Sequence, residues 1–232
     1  MAHKVYLLDI EGTTTPIDFV TKTLFPFARR EMASFVTKSL GDPVLASDAE
    51  LLCAEYEAET ETPPEWPNRP EPAEMVPYLL WLMDRDRKSR GLKSIQGRIW
   101  EEGYASGRLL GEIYPDVRPA IERWKDAGAT VAIFSSGSVL AQKLIFGHLE
   151  GGPLTPLLDD YFDTGVGSKR EAESYREIAR RLGFDGADIL FLSDIPQEIE
   201  AASLAGLNAR QVIRDPEAPC EAPAIRDFGA LR

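Results

Sequence analysis

Cysteine, positive charge and long apolar runs are all scarce in this sequence, and each shortage argues against certain classes of protein. The two cysteines, Cys53 and Cys220, are far apart and lack companions at metal-ligand spacing, so neither a disulfide framework nor a zinc site is indicated. The chain has 26 Lys and Arg against 38 Asp and Glu, which gives a net charge of −12. That charge argues against extended binding to nucleic acid or to an anionic membrane, because the phosphates would not be neutralised.

The sequence also lacks the segments that would place it in or across a membrane. No stretch reaches the roughly 18 apolar residues of a membrane span, and no signal-type apolar stretch precedes the first strand pattern. We therefore expect a cytoplasmic protein in a reducing compartment. A length of 232 residues with 44% hydrophobic side chains suits one large domain or a core with a substantial insertion.

Short apolar runs that end in polar residues indicate buried parallel strands. They occupy residues 5–8, 130–134, 161–163, 189–192 and 209–213, and a last short strand is expected near 225–228. Helical patterns follow them at about 119–127, 139–146, 170–182 and 196–205, the first of these lying before the second strand. The alternation predicts an α/β protein with a Rossmann-like parallel sheet.

One long segment interrupts this alternation. Residues 17–110 read as helices, apart from five prolines within 60–72 that mark a surface loop, and Pro26, where we expect a kink or a new helix start. We predict an α/β core formed by residues 1–16 and 111–232, with an inserted all-helical cap over residues 17–110. Such modules exclude water and select the substrate over a catalytic crevice. The alternative is that these helices merely enlarge the core.

Polar side chains stand at or near four predicted strand ends, which line the functional crevice of a parallel sheet. They are Asp9, Glu11, Ser135, Ser136, Lys169 and Asp194. Strand-end carboxylates can share one Mg²⁺ with water and a substrate phosphate. A carboxylate can also act as the nucleophile that takes up a phosphoryl group, while a second carboxylate moves protons and a lysine stabilises the transferring charge.

Several stretches resemble one family in order and spacing. The Asp-Ile-Glu-Gly-Thr-Thr start at residues 9–14, the Ser-Ser-Gly turn, the lysine before a helix and the Ser-Asp strand end resemble the four motifs of the haloacid dehalogenase superfamily. More narrowly, residues 9–14, 99–104, 135–144 and 169–176 resemble the enolase-phosphatase family of methionine salvage. The resemblance spans roughly residues 5–215.

The resemblance implies a Mg²⁺-dependent acireductone synthase. It would convert 2,3-diketo-5-methylthiopentyl-1-phosphate to an enol phosphate and then to acireductone and phosphate, as a monomer with one Mg²⁺. The implied metal ligands are Asp9, Glu11 and Asp194, and the implied substrate contacts are Ser135, Ser136 and Lys169. Asp9 would be the nucleophile, and Glu11 and Lys169 would complete the catalytic set, with Glu11 reaching the metal through its side chain or its backbone carbonyl.

The sequence leaves several alternatives open. The enolisation base is Glu11 or the pair Glu101 and Glu102 with Tyr104, whose plain interpretation is a solvated helix face. Another Mg²⁺-dependent phosphatase of a small phosphomonoester, a phosphotransferase and a dehalogenase share the same motifs. A binding module without catalysis would be expected to have lost Asp9, Lys169 or Asp194, and all three are present.

Overall fold

The predicted apolar runs form one parallel sheet. The computed structural model describes residues 3–221 and 223–231. Within them the five strands are β1 (Val5–Leu8), β2 (Thr130–Phe134), β3 (Asp160–Phe162), β4 (Ile189–Ser193) and β5 (Asn208–Gln211). Their order is β3-β2-β1-β4-β5 and every neighbouring pair is parallel. The predicted α/β fold class, with its inserted helices, is confirmed.

The helices fall between the strands and in one long insertion. Within the described residues they are α1 (Ile17–Phe19), α2 (Phe25–Lys38), α3 (Pro43–Glu57), α4 (Val76–Asp84), α5 (Arg90–Ala105), α6 (Val117–Asp126), α7 (Val139–Gly147), α8 (Ala172–Leu182) and α9 (Pro196–Leu204). A π-helical turn, Val20–Leu24, joins α1 to α2, and Pro26 lies in the first turn of α2. None of the helices in the described ranges is long and apolar enough to cross a membrane.

The chain divides into two compact units. The first, called here the α/β unit, runs up to Val20 and resumes at Leu110, and the second, the helical unit, is Thr21–Leu109. That the helical unit acts as a cap stays a prediction.

Successive residues of β1 point to opposite faces of the sheet, because side chains alternate along a strand. Val5 and Leu7 belong to a buried cluster with residues of α8 and α9. Tyr6 instead stacks on Trp124 of α6, with ring centroids 3.9 Å apart. Because both faces are covered, all four residues of β1 are buried, and the strand reads in the sequence as a continuous apolar run.

The strand order creates a switch point beside β1. The chain leaves β1 toward β2 and β3 on one side, and β4 and β5 are added on the other side. Ligands of open α/β sheets bind outside the carboxyl ends of the strands at such a point. The residues that follow β1, β2 and β4 therefore meet at the expected position of a site.

In the helical unit, α5 packs against both α2 and α3. Its Trp100 donates an indole N–H to the carbonyl of Leu24, at 2.9 Å, which satisfies a buried backbone group at the end of the π-helical turn. The proline-rich loop before α4 is held by Trp66, which is buried and donates to the carbonyl of Glu71 at 2.9 Å. Tyr56 also donates its hydroxyl to the Pro64 carbonyl at 3.0 Å, so aromatic side chains help to order this loop.

The carboxyl-terminal region differs from expectation in one respect. The predicted strand near 225–228 is wrong, because Ile225 forms an isolated bridge with Val212 and a 3-10 helix, Phe228–Ala230, follows. Asp227 begins that helix by accepting a hydrogen bond from the Gly229 N–H at 2.8 Å. An aspartate before a glycine favours a turn over continued strand pairing.

Candidate active site

Asp9 is placed by the sheet itself. Its N–H donates to the Leu192 carbonyl at 3.0 Å, which continues the β1–β4 ladder by one residue. The side chain is buried, and its Oδ1 accepts the Ile10 N–H at 2.8 Å and contacts the Lys169 ammonium. The Asp9 carboxylate is thus fixed at the end of a central strand, beside a buried cation.

Lys169 is buried between two carboxylates. Its Nζ contacts Asp9 and lies 2.8 Å from Glu198 Oε2. Tyr175 of α8 donates its hydroxyl to the Lys169 carbonyl at 2.7 Å and so fixes the backbone. Although burial opposes the charge, the two carboxylates hold the pKa of Lys169 above its usual value. The lysine is therefore a permanent cation at neutral pH.

The turn before Lys169 requires glycine at one position. Gly167 has φ 132°, and a Cβ atom there would overlap the Ser174 hydroxyl. That hydroxyl donates to the Ser168 carbonyl at 2.7 Å. Gly167 therefore allows the chain to approach α8 closely enough to deliver Lys169 into the site.

Glu198 and Ser193 are members of the cluster that the sequence interpretation missed. The Ser193 hydroxyl lies 2.7 Å from Glu198 Oε2 and 3.2 Å from Asp9 Oδ2, and its single hydrogen serves one of them at a time. A signal for Glu198 existed, because it shares a helix face with Ala201 and Ala202, which are buried in the core. A glutamate on an apolar face indicates a buried partner, which here is Lys169.

Ser135 lies in the turn after β2. Its N–H donates to the Phe162 carbonyl at 3.2 Å, and its hydroxyl accepts the Gly137 N–H at 3.0 Å and is 3.5 Å from Glu11 Oε2. The buried Gln142 donates to the carbonyls of Gly137 and Phe162, both at 2.8 Å, and so fixes the turn to the end of β3. Gln142 is a second positioning residue that sequence analysis did not assign.

Ser136 and Ser138 differ in exposure and role. Ser136 is exposed on the same turn. Ser138 begins α7, because its hydroxyl accepts the Ala141 N–H at 3.3 Å. The turn therefore presents one exposed hydroxyl at the amino-terminal end of a helix, an arrangement that suits an oxyanion.

Asp194 follows β4 and meets the loop after β1. Its N–H donates to the Thr13 hydroxyl at 2.9 Å. Gly12 has φ 72°, and a Cβ atom there would lie 2.5 Å from Asp194 Oδ2, so only glycine fits. In the described part of the chain, the buried Oδ1 atom of Asp194 has no hydrogen-bond partner.

The carboxyl groups at this edge shift one another's titration. Burial and the charge of Asp9 raise the pKa of Glu11 to about 7. Burial and Asp9 likewise raise the pKa of Asp194 to about 6, and burial raises the pKa of Glu198. Four carboxyl groups face the one ammonium group of Lys169, so negative charge is in excess at this edge.

The donor set fits a hard divalent cation. Carboxylate oxygens are the ligands that Mg²⁺ prefers, and one or two of them suffice because water and phosphate fill the remaining positions. The unpartnered Asp194 oxygen and the excess negative charge both favour a cation. No group of three or more acidic, histidine or cysteine side chains in metal-binding arrangement occurs within residues 3–221 and 223–231. The ligand set Asp9, Glu11 and Asp194 stays a prediction.

The other candidates for the enolisation base lie on α5. Glu102 is ion-paired with Lys38, and Glu101 is exposed. Tyr104 is buried, and burial raises the pKa of its hydroxyl. All three belong to the helical unit.

A buried aspartate, a buried lysine, a hydroxyl-bearing turn and a second strand-end aspartate on a Rossmann-like sheet match the arrangement expected of a hydrolase of the haloacid dehalogenase type. The family model described as haloacid dehalogenase-like hydrolase matches residues 3–206. Proteins named enolase-phosphatase E1 are also similar. That of Synechococcus elongatus is 53% identical over 93% of this chain and 90% of its own length, and that of Klebsiella pneumoniae is 45% identical over 97% and 95%. The chain therefore belongs to the enolase-phosphatase E1 family of haloacid dehalogenase-like hydrolases.

Solved structures share the fold of this chain. The UTR4 protein of Saccharomyces cerevisiae superposes with a TM-score of 0.76 at 32% identity, covering 97% of this chain and 96% of the yeast chain. A mutant of CbbY from Rhodobacter sphaeroides, solved with xylulose-(1,5)bisphosphate, has a TM-score of 0.56 at 19% identity, covering 97% and 95%. At that identity the second likeness shows the fold alone.

Proposed function

We propose that this chain is a bifunctional enolase-phosphatase, an acireductone synthase of methionine salvage. Its substrate would be 2,3-diketo-5-methylthiopentyl-1-phosphate, which it enolises and then dephosphorylates to acireductone and phosphate. The observation that carries the phosphatase step is the Asp9 carboxylate, buried at the end of β1 and paired with Lys169. The family supports the enolase step and the identity of the substrate.

In the phosphatase step, Asp9 is the nucleophile. One of its carboxylate oxygens attacks phosphorus, the bond between phosphorus and the leaving oxygen breaks, and an aspartyl-phosphate forms. Glu11, whose pKa of about 7 keeps it partly protonated at neutral pH, gives its proton to the leaving oxygen. The same carboxylate then takes a proton from the water that hydrolyses the aspartyl-phosphate and releases inorganic phosphate.

Lys169 and the turn after β2 hold the phosphoryl group. In this proposal the ammonium stabilises charge on the equatorial oxygens, and the hydroxyls of Ser135 and Ser136 donate hydrogen bonds to the phosphoryl group. Asp9, Glu11 and Asp194 are the residues that would hold one Mg²⁺. When bound, that ion would supply Lewis-acid stabilisation of phosphate and ketone oxygens.

For enolisation we favour Glu11 as the base that removes the proton from the phosphate-bearing carbon. A carboxyl group with a pKa of about 7 is matched to proton transfer at neutral pH. Glu102 is less suited because the Lys38 ammonium neutralises its carboxylate. A single-turnover assay of Glu11→Gln distinguishes the two, since full enolisation by that variant would exclude Glu11.

The test of the whole proposal follows enol absorbance and released phosphate together after mixing protein, Mg²⁺ and the diketo phosphate. We expect enol before phosphate in the unaltered protein, and no phosphate release from Asp9→Asn. A matched control is Asp188→Asn, which removes an acid that pairs with Lys4 just before the amino-terminal end of β4. Phosphate release from generic esters without an enol signal would contradict the proposal and leave a Mg²⁺-dependent phosphatase of another small phosphomonoester.

A further inference from the structure

Arg214, which follows β5, is held rigidly on every side. Its Nε and Nη2 both donate to the Thr13 carbonyl, at 2.9 and 2.6 Å, and its Nη1 donates to both Asp116 carboxylate oxygens, at 2.8 and 2.9 Å. The guanidinium carbon lies 4.3 Å from the ring centre of Tyr114 and 4.9 Å from that of Phe228. The side chain is only 9% exposed. All of its nitrogens are engaged by the protein, so its role is internal.

Thr13, whose carbonyl accepts the hydrogen bonds of Arg214, also contacts Asp194, which is a predicted metal ligand. Thr13 is fully buried, and its hydroxyl accepts the Asp194 N–H at 2.9 Å. The Asp194 carbonyl is held from the other side by the Gln211 amide, at 2.9 Å. The backbone of Asp194 is therefore fixed by Thr13 and by β5, and Arg214 follows β5 and binds Thr13.

We propose that Arg214 is a positioning residue that sets the affinity of the site for a divalent cation through Thr13 and Asp194. The proposal rests on the proposed function, which makes Asp194 a metal ligand. Groups that orient metal ligands typically change metal affinity ~10–100-fold when they are removed. Here the oriented group is the Asp194 backbone, and the buried, unpartnered Oδ1 of its carboxylate is the atom whose position depends on it.

An arginine suits this task better than a lysine. The two donors that meet at one carbonyl and the two contacts to Asp116 use the planar fork of the guanidinium. The Asp116 carboxylate also neutralises the arginine charge, and it accepts the Phe228 N–H at 2.7 Å. The arrangement therefore fixes the orientation of the loop after β1 while adding little net charge beside the site.

The experiment measures binding of Mn²⁺ alone, from the loss of the free-ion electron paramagnetic resonance signal, to folded variants without substrate. We expect Arg214→Met to weaken binding about tenfold or more. The Mn²⁺ affinity of Arg214→Lys should lie between those of Arg214→Met and the unaltered protein. The matched control is Arg123→Met, because Arg123 also binds the carboxyl-terminal segment, at the carbonyls of Phe228 and Leu231, and these contacts do not involve Thr13.

A second pair of variants tests the hydrogen bond between Thr13 and Asp194, through which Arg214 is proposed to act. This pair remains informative if Arg214→Met does not fold. Thr13→Val removes the hydroxyl acceptor and keeps the shape, so it should weaken Mn²⁺ binding, whereas Thr13→Ser keeps the acceptor and should retain it. Arg214→Met that binds Mn²⁺ within twofold of the unaltered protein would overturn the proposal. Equal losses in Arg214→Met and Arg123→Met, or equal binding by Thr13→Val and Thr13→Ser, would overturn it as well.

The same titration separates this proposal from the proposed function. Asp194→Asn should lose Mn²⁺ binding if Asp194 is a ligand. If it binds like the unaltered protein, the metal site itself is wrong. If it fails to bind while Arg214→Met and Thr13→Val bind normally, the metal site stands and only the role of Arg214 is refuted.

Discussion

Removing the buried cation of the site should cost more stability than removing any exposed one. In Lys169→Met, the carboxylates of Asp9 and Glu198 lose their partner in a place where the lysine side chain is 5% exposed. At the 2.8 Å separation from Glu198 and an effective dielectric constant of about 20, the lost attraction is on the order of 6 kcal/mol, partly offset because the ammonium no longer has to be desolvated. Breaking a buried ion pair typically costs about 3–5 kcal/mol in net terms.

The assay is urea and thermal unfolding without metal, at pH 8 and at pH 5. A loss of about 3–5 kcal/mol corresponds to a fall in Tm of roughly 6–20 °C for a chain of this size. Without the lysine, the folded-state pKa of Glu198, already raised by burial, rises further above its unfolded value. The folded state then binds more protons than the unfolded state, so stability falls as the pH rises above the unfolded pKa. The loss should therefore be larger at pH 8 than at pH 5.

Two comparisons make the result decisive. Lys125→Met removes an ion pair with Asp159 whose side chains are 25% and 39% exposed, and it should cost less than about 1 kcal/mol. Glu198→Gln should destabilise the unaltered protein, yet stabilise Lys169→Met, because it then removes an unpaired buried charge. A loss below about 1 kcal/mol in Lys169→Met, or a Glu198→Gln effect of the same sign in both backgrounds, would refute the reasoning.

Three further predictions concern metal, backbone and turn. EDTA should abolish phosphate release and added Mg²⁺ should restore it; activity that survives EDTA would contradict the proposed chemistry and favour a dehalogenase-type reaction. Gly167→Ala should cost about 1–3 kcal/mol in urea unfolding, because alanine meets Ser174 at φ 132°, and an unchanged midpoint would contradict the need for glycine. Gln142→Leu should raise KM for the substrate and cost about 1–3 kcal/mol, because the Gly137 carbonyl loses its side-chain donor and the Phe162 carbonyl is left with the Ser135 N–H; unchanged kinetics would show that the turn is held otherwise.

Much of the fold was predictable because the sheet is parallel and covered on both faces. Its central strands appear in the sequence as apolar runs. The polar residues that follow these runs, Asp9, Ser135 and Asp194, predict which edge of the sheet carries the site. The edge strand β5 was predicted less accurately: residues 209–213 were expected, whereas β5 is Asn208–Gln211. The reason is that the hydrophobic pattern of an edge strand is weaker than that of a central strand. The prediction of a carboxyl-terminal strand was wrong because the turn preference of Asp227 and Gly229 outweighed the strand preference of the apolar side chains around them.

The candidate site was predictable only in part, for a different reason. Residues at strand ends are found by their position, but partners on helices are found only when their burial is known. Glu198 carries a partial signal, because it shares a helix face with the apolar Ala201 and Ala202, whereas no pattern around Arg214 in the sequence indicates that it is buried. Gln142 likewise has no chemical signature until its two carbonyl partners are known. Networks across distant segments carry no local pattern, so sequence periodicity does not report them.

The position of β1 has a consequence for how the chain is made. Its Val5 pairs with Thr130 on one side and with Ile189 on the other, so β1 is synthesised more than a hundred residues before either of its partner strands. The helical unit is complete by Leu109 and has all of its own contacts long before then. Closing β1 into the sheet is therefore a late, long-range event in folding. Because the Asp9 N–H binds the Leu192 carbonyl, a nascent chain that stops short of β4 lacks the contact that continues the β1–β4 ladder to Asp9.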